Sequence, residues 1–161
     1  MPGNHFDEAA FFQAIHASGV RALLIGRRAM VLLGLPVLTA DYDFYIAIDD
    51  IARFNEAAGA MDLQPTHEPD AARRRGRYAL ENDEHVDVLV ARSVPTVDGR
   101  AVTFEELWAA RQPIVLSEGV VVNVPSVAGL ILTKRFAARP KDLEDIRLLQ
   151  ILQSEASADD E

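Results

Sequence analysis

The chain has 161 residues, 49% of them hydrophobic and 25% charged, and its formal net charge is −9. This length and composition fit one globular domain and exclude a disordered chain. The acidic balance argues against general, charge-driven binding to nucleic acid, which needs a basic surface, and the lack of cysteine excludes disulfides and thiolate metal sites.

The sequence shows no pattern typical of a targeting signal. The apolar runs are shorter than a membrane span, and the N-terminus shows no basic segment followed by an apolar one. We therefore expect a cytoplasmic protein without a membrane partner. We also expect one domain over residues 1–153, followed by an acidic, disordered tail over residues 154–161.

The first half of the chain alternates helices and strands. Helical spacing predicts a first helix that stops near Gly19, and Asp49 or Asp50 can cap the helix that starts at Ile51. The predicted elements are a helix over 6–17, a doubly buried strand over 20–25, a short helix over 28–33, a strand over 43–48 and a helix over 51–60.

The second half begins with a loop and ends in helices. Residues 61–76 lack a period and contain two prolines, which favours a mobile loop. The elements predicted after it are a hairpin over 77–90, a helix over 104–111 capped by Thr103, paired strands over 113–124, a helix through 137 capped by Ser126, and a last helix over 141–153. Helices do not alternate strictly with strands, so we expect an α+β fold.

Two neighbouring motifs suggest a site for a phosphate and its metal. Gly26 stands between a strand and a helix, where a glycine lets backbone N–H groups approach a phosphate. Asp41 and Asp43 follow at the start of the next strand, and side chains two residues apart on a strand point the same way. Carboxylate oxygens are the ligands that Mg²⁺ prefers, and Mg²⁺ keeps positions open for a substrate phosphate.

A third acid lies in a later strand. Asp87 stands between Val86 and Val88 and faces away from both. A lone carboxylate in so apolar a segment is costly unless it meets a metal or a partner. Asp87 is therefore a candidate to bind a second metal or to take a proton from an attacking hydroxyl.

Together these residues resemble the nucleotidyltransferase superfamily in its small bacterial members. The resemblance rests on Gly26-Arg27, then Asp41-Tyr42-Asp43, then Asp87. It extends to the run 126–146, where Lys134 lies on one helix and Lys141-Asp142-Leu143-Glu144-Asp145-Ile146 begins the next.

The resemblance implies a mixed sheet flanked by helices, with a helical C-terminal segment. It implies transfer of a nucleoside monophosphate from an NTP to an acceptor hydroxyl, with release of pyrophosphate. Asp41, Asp43 and Asp87 would be the catalytic, metal-binding residues for Mg²⁺ or Mn²⁺. Phosphate would be held by the Gly26 turn and the helix start after it, with the basic side chains Arg27, Arg28 and Lys134. The acceptor is open between RNA, protein and a small molecule, and some members of the group are toxins or toxin-linked, so a protein partner or a homodimer is also open.

Arg27 departs from the family pattern, in which a small residue follows the glycine. Either its guanidinium binds phosphate, or the chain has lost activity and is a nucleotide- or partner-binding module, for example of a toxin–antitoxin system.

Other charged residues have a structural interpretation beside the functional one. The run 73–77 contains four arginines and is either a solvated loop or a clamp for a phosphate-bearing substrate. Lys134 is either a surface lysine or a phosphate ligand. Asp142 and Asp145 suit the positive end of the last helix, and the histidines, including His85, lack metal spacing; we favour structural roles for these two aspartates and for the histidines.

Overall fold

The computed structural model describes a mixed β-sheet flanked by helices, over residues 6–91, 96–97, 100–137 and 140–159. Side chains are described at these positions except at 96, 97, 100, 101, 136, 137, 140, 141 and 156–159. The helices are α1 (Glu8–Ser18), α2 (Gly26–Leu32), α3 (Ile51–Gly59), α4 (Pro69–Arg75), α5 (Phe104–Ala109), α6 (Val127–Ala137) and α7 (Pro140–Asp159). The strands are β1 (Ala22–Ile25), β2 (Tyr42–Ala47), β3 (Gln64–Pro65), β4 (Arg77–Glu81), β5 (His85–Ala91), β6 (Thr96–Val97), β7 (Arg100–Ala101), β8 (Gln112–Ser117) and β9 (Val120–Val124).

The main sheet has the strand order β1-β2-β5-β4-β3, and β2 and β5 are its parallel pair. A parallel pair needs a crossover connection, which the segment from α3 to β4 supplies. The register places Asp43 of β2 directly beside Asp87 of β5 and, on its other side, beside Ile25 of β1. Both carboxylates therefore belong to one face of the sheet.

The two faces of the sheet are covered by different helices. Phe44 and its neighbours on one face pack against the aromatic side chains of α1 and α3, among them Phe11 and Phe54. On the other face Tyr45 packs edge-on against Phe104 of α5. The alternation of side chains along β2 puts Asp43 on the same face as Tyr45.

The fold class predicted from the sequence is confirmed, and so are most elements. The β4–β5 hairpin and the β8–β9 hairpin form as expected. Gly19 ends α1 in the left-handed region with φ +76°, and Thr103 and Ser126 cap α5 and α6 through their hydroxyls.

The segment 61–76 is not the mobile loop expected from the sequence. It forms β3 and α4, and the arginine run lies mainly on α4. Pro69 at the start of this helix and Gly76 at its end, with φ +77°, provide the end signals that fix it. Three arginines in the last turn also suit the negative end of the helix.

Two further expectations need correction. The last helix runs to Asp159 rather than ending at residue 153, because serine, glutamate and alanine after Gln153 are compatible with a helix. The tail expected to be disordered is thus helical through Asp159. Asp50 stands at the start of α3 but its side chain does not cap the helix; its carboxylate accepts a hydrogen bond from the backbone N–H of Arg21 at 2.9 Å instead.

Among the helices of the described residues, none combines the length and apolarity that a membrane crossing needs.

Candidate functional site

A cavity of about 470 Å³ opens over the acid-bearing face of the main sheet. Its walls are the Gly26 turn, the segment that leads from α2 into β2, the strand β5 and the facing sides of α6 and α7. Its charged and hydroxyl-bearing lining residues are Arg27, Thr39, Asp41, Asp43, Arg77, Asp87, Thr133, Lys134 and Asp142. The cavity therefore brings together residues from distant parts of the sequence.

Asp43 lies against the backbone of Gly26. Gly26 has φ +70°, and a Cβ added to it would lie 2.6 Å from Oδ2 of Asp43. Only glycine meets both requirements, a left-handed backbone and room for the carboxylate. The turn predicted to hold phosphate and the aspartate predicted to hold metal are therefore in direct proximity.

Asp87 is bound by a histidine on its own strand. Nε2 of His85 lies 2.8 Å from Oδ1 of Asp87, and Nδ1 of His85 lies 3.1 Å from Oε1 of Glu81. The hydrogen bond to Asp87 raises the pKa of His85 above its ordinary value, and this effect outweighs that of burial, which lowers the pKa. The Asp87 side chain is 41% exposed, so the costly burial inferred from the sequence is wrong, because this end of β5 borders the open cavity.

Asp41 lines the same cavity but precedes β2 and is exposed. Its position puts it at the mouth, two residues before Asp43. Within the described residues, no three acidic, histidine or cysteine side chains stand close enough together to hold a metal ion by themselves. The three candidate acids thus share a cavity without forming a closed ligand cluster.

Arg27 and Lys134 converge on one buried aspartate. Arg27 donates to Asp145 from Nε at 3.1 Å and from its terminal nitrogen at 3.3 Å. Lys134 donates to the same carboxylate at 2.8 Å, and its Nζ lies 3.7 Å from Oδ1 of Asp142. Asp145 is 1% exposed and Lys134 is 9% exposed, so the surface-lysine interpretation of Lys134 is wrong.

The electrostatics of this cluster follow from its hydrogen bonds. Burial raises the pKa of Asp145, but hydrogen bonds from Lys134 and Arg27 outweigh it, and the net pKa lies below the ordinary value. The hydrogen bond to Asp145 likewise raises the pKa of Arg27. Arg27 therefore stays charged at the wall of the cavity.

Two basic features lie elsewhere. The guanidinium of Arg28 stacks over the ring of Tyr42 at 4.2 Å, on the sheet face opposite Asp43. Arg28 and the three arginines of α4 are not among the residues that line the cavity, and Arg73 pairs with Asp70 at 3.1 Å on the helix surface. Arg77, the last arginine of the run, does line it.

A second cavity, of about 200 Å³, lies between α1, the end of α5 and β9. Aromatic and aliphatic side chains dominate its lining, and it contains no carboxylate among the lining residues. Trp108 lines this second cavity. The acid-lined cavity is therefore the better candidate for chemistry on charged substrates.

Comparison with known proteins shows which solved structures share this architecture. The chain matches no family model and no curated protein. It does match solved structures. The crystal structure of ANT(2″)-Ia in complex with adenylyl-2″-tobramycin has a TM-score of 0.61 at 17% identity, covering 91% of this chain and 88% of that one. The chain has the nucleotidyltransferase fold. The solution structure of the antibiotic-resistance factor ANT(2″)-Ia agrees, with a TM-score of 0.60 at 15% identity over 92% of this chain and 88% of that one. A provisionally assigned nucleotidyltransferase from Thermotoga maritima gives 0.51 at 14% identity over 89% of each chain.

The nucleotidyltransferase fold accounts for the sequence resemblance, and sequence reasoning set aside one residue that lines the cavity, Asp142, and two that contact lining residues, Asp145 and His85. Asp142 and Asp145 were assigned to the helix end, yet they lie on the face of α7 that also buries Ile146 and Leu149. Their i, i+3, i+4, i+7 spacing is a signal of one buried helix face. His85, two residues before Asp87 on one strand, shares its face by the same alternation that placed Asp87.

Proposed function

We propose that the chain is a metal-dependent nucleotidyltransferase that moves a nucleoside monophosphate from an NTP to an acceptor hydroxyl and releases pyrophosphate. The observation that carries the proposal is the register of the parallel strands, which sets Asp43 directly beside Asp87 on the floor of the cavity. Gly26 adjoins this pair, and Lys134 lines the same cavity. A carboxylate pair that shares a cavity with a buried cation suits a triphosphate that arrives with its metal.

The donor set fits Mg²⁺ or Mn²⁺. Asp43 and Asp87 offer hard oxygen ligands from adjacent strands, and Asp41 offers a third at the mouth. A metal held by two of these acids would keep positions for water and phosphate oxygens, as Mg²⁺ requires. The metal would neutralise charge on the transferred phosphate.

The protein's own groups would bind and orient the reactants. Backbone N–H groups at the Gly26 turn would receive phosphate oxygens, and Lys134 would offset the charge that develops on the leaving pyrophosphate. Asp87, partly exposed and held by His85, would accept the proton of the acceptor hydroxyl. Holding both reactants in line over the sheet supplies the positioning part of the rate enhancement.

We further propose a small molecule as the acceptor. This is supported by the matched structure of ANT(2″)-Ia, which contains adenylyl-2″-tobramycin, and by an acidic chain that disfavours polyanionic acceptors. Transfer to RNA or to a protein are the alternatives, and a screen with labelled NTP against aminoglycosides, RNA and lysate protein separates the three.

A module that binds a nucleotide or partner without chemistry, in the manner of a toxin–antitoxin component, is the second candidate. Arg27 favours it, because the bulky side chain lines the cavity where the resembling family has a small residue.

A thermal-shift titration with Mg²⁺ or Mn²⁺ and each NTP tests the proposal. Metal plus NTP should raise the melting temperature by mass action, and Asp43→Asn and Asp87→Asn should abolish the gain. Asp83→Asn is the matched control, since Asp83 is exposed in the turn of the same hairpin. A gain that survives both site variants would contradict the metal site, and binding without pyrophosphate release would favour the second candidate.

A further inference from the structure

Each nitrogen of the Arg27 guanidinium donates one hydrogen bond to an acceptor of the protein itself. Nε and one terminal nitrogen donate to the two oxygens of Asp145, and the other terminal nitrogen donates to the carbonyl of Leu38 at 3.4 Å. The planar, forked guanidinium suits such a two-oxygen contact with a carboxylate. Arg27 thus links the Gly26 turn to α7 and to the segment before β2, and each of its three nitrogens already donates within the protein.

Lys134 has a different position relative to the same carboxylate. It shares Oδ2 of Asp145 with Arg27, at 2.8 Å against 3.1 Å, and it is the more buried cation of the two. Its ammonium has three donors, of which Asp145 takes one at hydrogen-bond distance, whereas Asp142 stands farther away at 3.7 Å. Counted over the residues that the structure describes, Lys134 therefore keeps donor capacity at the wall of the cavity.

We propose that Arg27 is a positioning residue: it holds Asp145, and through Asp145 it holds Lys134 in place for the triphosphate, without itself contacting phosphate. The inference rests on the proposed nucleotide binding. It differs from both sequence-based interpretations of Arg27, which made the side chain either a direct phosphate ligand or a sign of lost activity.

The physical reason lies in the sharing of one carboxylate by two cations. The two-oxygen contact with Arg27 fixes the rotation of Asp145 and takes up part of its charge. Without Arg27, Asp145 is free to turn and to neutralise Lys134 more completely, so the ammonium becomes a poorer phosphate ligand. The effect of Arg27 should therefore depend on Asp145 being a carboxylate.

A double-mutant cycle on nucleotide affinity tests this dependence. Arg27→Gln should weaken binding of Mg²⁺–NTP roughly tenfold, as loss of a charge-assisted contact that is transmitted to the ligand would. In the Asp145→Asn background the same change should alter the affinity less than about twofold, because the link is already broken. Arg27→Lys should recover part of the loss, and Arg53→Gln, an exposed arginine on α3, is the control for loss of a positive charge.

Side-chain NMR on the unaltered protein covers the case in which a variant does not fold. Inorganic tripolyphosphate with Mg²⁺ is the probe. The ¹⁵N resonance of Lys134 Nζ should shift on saturation, while that of Arg27 Nε stays in place because its bond to Asp145 persists.

The outcomes separate the two proposals. A shift of Arg27 Nε with binding intact, or an equal loss of affinity on Arg27→Gln in both backgrounds, would overturn the positioning role and make Arg27 a direct phosphate ligand. Absence of any binding of tripolyphosphate and of all four NTPs would remove the proposed function, and with it the inference.

Discussion

Replacement of Gly26 by alanine should be far more damaging than replacement of another left-handed glycine. Gly26 and Gly19 have nearly the same backbone, φ +70° and φ +76°. A Cβ at Gly19 would meet nothing within 4 Å, whereas a Cβ at Gly26 would meet three atoms of Asp43, the nearest at 2.6 Å. Comparing alanine variants at Gly19 and Gly26 therefore separates the cost of backbone strain from the cost of a steric clash with Asp43.

The expected losses in the free energy of unfolding follow from backbone strain and from the steric clash. A left-handed backbone costs a non-glycine residue about 1–2 kcal/mol, and the reduced freedom of the unfolded chain offsets about 0.4–1 kcal/mol of it. Gly19→Ala should thus lower the free energy of unfolding by about 1 kcal/mol. Gly26→Ala adds an overpacking cost of about 1–3 kcal/mol, since the Asp43 carboxylate must move.

Urea unfolding of both variants measures the difference, and the thermal shift with Mg²⁺ and NTP measures its consequence. Gly26→Ala should lose the ligand-induced shift, because Asp43 is displaced, whereas Gly19→Ala should retain it. In an Asp43→Ala background the extra cost of Gly26→Ala should largely disappear. Equal destabilisation of the two glycine variants would refute the reasoning, since it would mean that Asp43 moves aside freely.

Two further predictions concern titrating groups. The folded-state pKa of His85 is raised, so its pair with Asp87 stabilises the fold at a pH below the ordinary histidine pKa, and this contribution is lost as the pH rises through the folded pKa. His85→Asn should therefore remove this pH dependence of the free energy of unfolding, whereas the control His16→Asn should leave the pH dependence unchanged. The pKa of Asp145 is lowered, so its contribution is present at neutral pH and is lost as the pH falls through the folded value. Asp145→Asn should lower the free energy of unfolding by about 3 kcal/mol, as for other broken buried pairs. Asp70→Asn, at a carboxylate that is 81% exposed, should lower it by less than about 1 kcal/mol, and equal losses would argue against a strong buried cluster.

Local patterns in the sequence predicted the strands that build the site. The alternation in β5 is strong, so both the hairpin and the direction of Asp87 could be inferred. The helix α4 was missed because its seven residues bury only Ala72 and show no apolar period. Pro69 and Gly76 were nevertheless readable as its start and end.

The contacts of the charged cluster could not be predicted in the same way. The spacing of Asp142 and Asp145 with Ile146 and Leu149 does indicate one buried face of α7. Their cationic partners, however, come from other elements, and Arg27 is 118 positions from Asp145. A single sequence shows that a buried acid needs a partner, but the choice among 16 lysine and arginine residues depends on the packing of α6 and α7 beside the sheet.

The charge balance of the cavity gives a final argument for metal dependence. Among the described lining residues four are acidic and three are basic, and Asp145 and Asp142 already offset much of the charge of Arg27 and Lys134. A triphosphate alone would enter a site that is net negative, where like charges repel strongly because the surroundings are partly buried. We therefore expect no measurable NTP binding in EDTA and a return of binding with Mg²⁺ or Mn²⁺. Equal affinity with and without metal would show that Lys134 and the Gly26 turn suffice, and would remove Asp43 and Asp87 from the proposed chemistry.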